Sequence, residues 1–173
     1  MKTVLAFNGS ARSDSFHGRI IRALPALAPD DVRIAEFDLS EIPFFNEDLE
    51  GDRQPTAVVA LRAAVTEADG IIFAAPEYNY SYSALTKNTI DWVTRPMGAG
   101  ALRGKRVMVI SVTPGPGGGR RVAATIAEIL PLLGNEVTSV VNASTIHEKV
   151  GANGRITDEE LVSALSAGLE AFR

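Results

Sequence analysis

Five apolar runs, each closed by turn residues, alternate along the chain with stretches whose apolar residues recur at helical spacing. That alternation predicts repeated βαβ units and a parallel sheet. Strands are expected at Thr3 to Phe7, Val32 to Phe37, Gly70 to Ala75, Arg106 to Val112 and Glu136 to Val141. Between the first two, Ile20, Ile21, Leu24 and Leu27 share one helical face, and Pro25 and Pro29 end the helix. A second helix carries Val58, Leu61 and Val65. A fourth sets Val122, Ile126, Ile129, Leu130 and Leu133 on one stripe, with Gly134 where a left-handed C-terminal cap is wanted. The last helix has Thr157 and Glu160 at capping-box spacing, Asp158 and Glu159 at the positive end of its dipole, and Leu161, Leu165, Leu169 and Phe172 facing inward.

Strand texture predicts the strand order. Strands covered on both faces by helices read as continuous apolar runs, and edge strands keep polar residues. Runs one, three and four (TVLAF, GIIFAA, VMVISV) are continuous, whereas runs two and five (VRIAEF, EVTSVV) are mixed and belong at the edges. An α/β three-layer sandwich with a five-stranded parallel sheet in the order 2-1-3-4-5 satisfies this, which is the flavodoxin-like arrangement, with its switch point between strands 1 and 3. No repeat or low-complexity tract divides residues 1–173, so one domain is expected.

Composition narrows the chemistry. Seventeen Lys plus Arg against 21 Asp plus Glu give a net charge of -4, without the basic excess that nucleic acid or an anionic membrane would attract. With no cysteine, disulfides, thiolate nucleophiles, Fe–S clusters and Cys-ligated zinc are excluded, so redox chemistry must ride on a bound cofactor. The first ten residues hold only Val4 to Phe7 as an uninterrupted apolar run, and a cytoplasmic location is the expectation.

In an open α/β sheet the ligand crevice lies beyond the carboxyl ends of the strands at the switch point, which directs attention to the loops after strands 1, 3 and 4. The first, Asn8 to Phe16, carries Ser10, Arg12, Ser13 and Ser15 directly before a helix N-terminus. Free N–H groups, hydroxyls, a helix dipole and a guanidinium suit a dianionic phosphate. Capping by Ser13, Asp14 or Ser15 is the plainer alternative, but it leaves Arg12 unexplained. The second loop, Pro76 to Tyr82, gathers all three tyrosines, a setting in which backbone N–H groups and apolar faces can hold a planar ligand; Tyr80 and Tyr82 are expected in the core or at a subunit contact. The third, Thr113 to Arg120, is glycine-rich but lacks the G-x-G-x-x-G spacing, because Arg120 stands where the last glycine is needed. Its glycines either give a flat ligand room against the backbone or serve only the loop's conformation.

Other constellations are thin. His17 and His147 lie on distant segments without metal-ligand spacing, there is no G-x-S-x-G elbow for a serine hydrolase, and Glu77 is a lone loop carboxylate. No metal is expected.

Two segments carry a family resemblance. GSARSDSFHG, from Gly9 to Gly18, is similar to the G-S-x-R-x-x-S phosphate loop of the NADPH-dependent FMN reductases, which include bacterial chromate and quinone reductases. PEYNYSYSALTKNTIDW, from Pro76 to Trp92, resembles the segment of that family that meets the flavin. The resemblance implies that Ser10, Arg12, Ser15, Phe16 and His17 surround the FMN phosphate. Pro76, Glu77, Tyr78 and Asn79 would meet the isoalloxazine ring, and the loop with Thr113, Gly115 and Gly118 would approach it from the other side. It further implies electron transfer from NADPH or NADH through bound FMN to quinones, free flavin or a metal oxyanion, in ping-pong order, with no side chain acting as acid or base. Family members are dimers or tetramers, the helix through Lys87, Asn88, Asp91 and Trp92 resembles their interface, and the Ile42 to Asp48 loop resembles one near a neighbouring subunit's flavin; Trp92 fits an intrasubunit core equally. A flavodoxin-like electron carrier without NAD(P)H turnover is the alternative, weighed down by a charge of only -4 and by Arg12.

The chain departs from the family pattern twice. Ser83-Ala84 stands where Pro-Gly is usual, and His17 where asparagine is common. As a cation, His17 would bind phosphate less well as pH rises through its pKa.

Overall fold

The computed structural model describes residues 1–151 and 153–173. Five parallel strands, β1 (Lys2–Asn8), β2 (Val32–Phe37), β3 (Gly70–Ala74), β6 (Arg106–Val112) and β7 (Glu136–Ala143), form one sheet in the order β2-β1-β3-β6-β7. Counted among these five alone, that is the expected 2-1-3-4-5, the flavodoxin-like fold, with the two mixed runs at its edges. Between β3 and β6 the chain adds a two-stranded antiparallel hairpin, β4 (Glu77–Tyr78) and β5 (Ser81–Tyr82), where the sequence suggested only a loop.

The central strands carry uninterrupted apolar runs through their middles because both faces are covered. Leu5, Phe7, Ile71, Phe73, Val107 and Val109 point to one side, where they meet α2 (Thr56–Glu67), α3 (Ala84–Val93) and α4 (Arg120–Leu132). Their neighbours Val4, Ala6, Ile72, Ala74, Met108 and Ile110 point to the other, against α1 (Phe16–Ala23) and α6 (Glu159–Glu170). Period-two alternation thus feeds two separate cores, and each fully buried large side chain contributes about 1.5–3 kcal/mol.

Helix boundaries test the sequence reading at three places. First, α1 passes into a 3-10 turn at Leu24–Ala26, so Leu27 lies beyond the regular helix. Next, α4 ends as expected, with Gly134 at φ +85°. Finally, the N-cap of α6 is Asp158, whose carboxylate accepts the Leu161 N–H at 2.8 Å, and not Thr157. Thr157 is already engaged, donating to the Lys149 carbonyl at 3.1 Å. A short α5 (Ile146–Lys149) precedes it.

On α3, Trp92 is fully buried and donates its indole N–H to the Pro43 carbonyl at 2.7 Å. Asn88 accepts the Phe45 N–H at 2.7 Å and donates to Pro43 at 2.9 Å. These two residues therefore hold the chain's own loop after β2, and Trp92 is an intrasubunit core residue. Lys87 and Asp91 pair with each other toward solvent. No helix among the described residues is long and apolar enough to cross a membrane.

Candidate functional site

Beyond the carboxyl ends of β1, β3 and β6, three loops of unlike construction come together. The one after β1 is shaped by side chains. Asn8, the last residue of the strand, accepts the Ser10 N–H at 3.1 Å, and Ser15 caps α1 by accepting the Gly18 N–H at 3.0 Å. Of the three residues proposed as caps, Ser15 takes the role. Asp14 is held by Arg19 at 2.7 Å, a bond that keeps its carboxyl below the usual carboxylate range. Phe16 lies beneath the same guanidinium, 5.2 Å from its ring centroid. Arg12 and Ser13 are exposed, and Arg12 has no ion-pair partner among the described residues. The N–H groups of Phe16 and His17 lie in the first helical turn, where no intrahelical acceptor exists.

The loop is anchored from α3. Ser83 caps that helix, accepting the Thr86 N–H at 3.1 Å, and donates its own hydroxyl proton to the Gly9 carbonyl at 2.6 Å. This accounts physically for Ser83 in place of proline: it starts the helix and ties it to the loop after β1. Gly9 is required there, because a Cβ would stand 2.2 Å from Thr86 Oγ1 and 2.9 Å from Pro76 Cδ.

After β3, Asn79 and Tyr80 form the hairpin turn with φ of +52° and +65°. Asparagine tolerates that region, but for tyrosine it is strained by about 1–3 kcal/mol. Tyr80 is 77% exposed, so of the two places expected for it, the core or a subunit contact, the core is ruled out. Its ring is instead stacked under Arg121, 5.0 Å from the centroid, and Arg121 also pairs with Glu77 at 3.6 Å. Tyr82 packs partly buried against the core. Tyr78 reaches back to the first loop, with its hydroxyl 3.3 Å from Ser10 Oγ. This contact joins the two segments singled out in the sequence.

The loop after β6 is shaped by backbone. Thr113 donates its N–H to Ala143 at 2.9 Å and its hydroxyl proton to the Gly115 carbonyl at 3.0 Å. Gly118 and Gly119 have φ of +63° and +71°, and a Cβ on Gly119 would stand 2.0 Å from Ser111 Oγ, so they serve conformation. A Cβ on Gly115 or Gly117 would meet nothing within 4 Å. There the backbone is bare to whatever approaches.

His17 is the residue whose side chain lies elsewhere than expected. It is buried, and its Nε2 accepts the Val112 N–H at 3.2 Å. Burial lowers its pKa from 6.5 to about 4, against an opposing pull from the Ala75 carbonyl. The imidazole is neutral near pH 7, so the cationic phosphate contact is corrected. Asn8, Ser83 and Arg121 were not picked out as site residues. Asn8 carried a signal, since an asparagine before Gly-Ser favours a side-chain turn.

Two clefts flank the first loop. One of about 280 Å³ is lined by polar residues, Ser10, Arg12, Ser13, Asp38 and Ser40, together with Phe37 and Leu39. The other, about 400 Å³ and more apolar, lies between Ala11, Leu39, Phe44, Tyr78 and Leu85.

The profile of the NADPH-dependent FMN reductases matches residues 2–148. The chain belongs to this oxidoreductase family. Among family relatives, an NADPH:quinone oxidoreductase of Arabidopsis thaliana is 37% identical over 179 residues, covering 98% of this chain and 90% of that protein. An NAD(P)H-dependent FMN reductase of Pseudomonas aeruginosa is 31% identical, with 98% and 92% covered. Among solved structures, a flavoenzyme NAD(P)H:(acceptor) oxidoreductase from Paracoccus denitrificans superposes with a TM-score of 0.84 at 31% identity, covering 99% of this chain and 95% of that one.

Proposed function

We propose that this FMN reductase family member binds FMN across the three loops and transfers electrons from NADPH or NADH to quinones, free flavin or related acceptors. The observation that carries the reading is the Ser10–Tyr78 contact, which brings a phosphate-type donor loop and the hairpin to one place at the switch point. The donor set suits the group. Ser10 and Ser13 hydroxyls, the Arg12 guanidinium and the first N–H groups of α1 are the kinds of donor a phosphate dianion takes.

When bound, FMN supplies the hydride chemistry, and the protein's part is binding, orientation and access. Ser10, Arg12 and the start of α1 would hold the phosphate. Backbone at Glu77 to Asn79 would face the polar edge of the ring, and the bare backbone at Gly115 would lie against its flat surface. Glu77, tied to Arg121, is engaged in a structural pair, which fits a site needing no acid or base of its own. Donor and acceptor would use one opening in turn, so ping-pong kinetics is expected. The relatives' names support quinones as acceptors.

The test is NADPH oxidation by purified protein loaded with FMN, with and without a soluble benzoquinone. Quinone-dependent turnover with parallel double-reciprocal lines is the expected result. FMN binding without NADPH oxidation would instead make the protein an electron carrier.

A further inference from the structure

We propose that His17 is a positioning residue that sets the separation of the two loops assigned to the flavin ring, by joining the ends of β3 and β6 beneath them. The proposal rests on the flavin reading above. The ladder between these strands reaches only Ala74 opposite Ile110, with one further bond from the Ala75 N–H to the Ile110 carbonyl at 2.8 Å. Residues of a strand alternate in the side to which their N–H and carbonyl point. Ile110 faces β3, Thr113 donates to β7, and Val112 therefore faces β3 again, at a level that β3 no longer reaches. The imidazole of His17 stands in that gap and takes the Val112 N–H.

The contact ties three elements at the points that matter. Val112 is the residue before the glycine loop, and Ala75, whose carbonyl also faces the imidazole, is the residue before Pro76. The Ala75 carbonyl accepts the Ser111 hydroxyl at 2.7 Å, so the last turns of both strands are cross-bonded within this small region. Without His17 the buried Val112 N–H loses its acceptor, and such a group must move to find another. Any movement there passes directly into the loops at Pro76 and Thr113. Small displacements of groups that orient a bound ring are costly. An accepting nitrogen buried beneath the sheet has nothing to offer an anion. Asparagine carries an acceptor oxygen and two N–H donors on a short side chain and is able to bridge the same groups.

The experiment separates phosphate contact from ring positioning. Flavin-free wild type, His17→Leu and His17→Asn are titrated with FMN and with riboflavin, following flavin fluorescence at a temperature where circular dichroism shows each protein folded. If His17 positions the loops, His17→Leu weakens FMN and riboflavin alike, by about tenfold, and His17→Asn restores both to within about threefold. If the loss is confined to FMN, the side chain acts on the phosphate and the proposal is overturned. Unchanged binding of both flavins by His17→Leu overturns it as well. Should His17→Leu not fold, His17→Met fills the same space with only a weak acceptor and gives the same comparison. Wild type that takes up neither flavin removes the flavin reading itself, an outcome visible before any variant is made.

Discussion

The loops after β1 and β6 both run from a strand end into a helix N-terminus, yet they are built by opposite means. The first is held by side chains: Asn8, Ser15 and, from α3, Ser83 fix its course and leave the side chains of Arg12 and Ser13 exposed. The second is held by backbone, with Gly118 and Gly119 in left-handed conformations and Gly115 bare. A loop fixed by its own polar side chains presents a shaped set of donors, which suits a small charged group. A loop of glycines presents peptide planes without side chains, which suits close approach by something flat. One ligand with a phosphate at one end and a ring at the other would use both.

The largest effect that can break this comparison lies beneath both loops. His17 has a pKa of about 4 in the folded protein against 6.5 unfolded, so between these values the unfolded chain binds the extra proton. Its contribution is complete above pH 6.5 and is lost as pH falls through 4, on the order of 3 kcal/mol. Wild type should therefore lose more stability than His17→Asn between pH 7 and pH 4 in urea melts. Equal losses would mean that the imidazole is not held neutral by burial.

Arg12→Ala sharpens the donor-loop side. It should weaken FMN by about 1.5–3 kcal/mol, the usual worth of a hydrogen bond to a charged group, and leave riboflavin affinity nearly unchanged. A comparable loss for riboflavin would move Arg12 off the phosphate.

Gly9→Ala tests whether the two motifs are truly joined. Its methyl group would collide with Thr86 and Pro76, and thermal denaturation should show about 1–3 kcal/mol of destabilisation. Gly115→Ala, facing open space, should leave stability within about 0.5 kcal/mol of wild type.

The smallest effect is at the hairpin. Tyr80→Asn relieves only part of the strain, since asparagine tolerates this φ without favouring it, and removes the Arg121 stack, worth about 0.5–1 kcal/mol, so a net gain below about 1 kcal/mol is expected in chemical denaturation. A clear loss would show that the stack outweighs the strain.

Much of the frame was legible in the sequence because burial on two faces leaves a plain mark. TVLAF, GIIFAA and VMVISV could be read as inner strands, and the mixed runs as edges, without any knowledge of contacts. The hairpin was hidden because Tyr80 occupies a left-handed position that turn rules reserve for glycine or asparagine. The start of α6 was off by one residue because Thr157 and Asp158 both satisfy capping patterns, and only the Lys149 carbonyl and ammonium decide between them. His17 was misplaced for a related reason. In one dimension it lies among phosphate-loop residues, and only the helix turn of α1 carries its ring under the sheet. Arg121 gave no signal, since nothing local to it indicates that Glu77 and Tyr80 stand nearby.

The most direct test of the central claim is the anaerobic visible spectrum of the FMN-loaded protein as NADPH is added. The account predicts that the visible band of the oxidised flavin bleaches at about one equivalent and returns when a quinone is supplied. A band that persists at excess NADPH, or a protein that remains colourless after incubation with FMN, would contradict it.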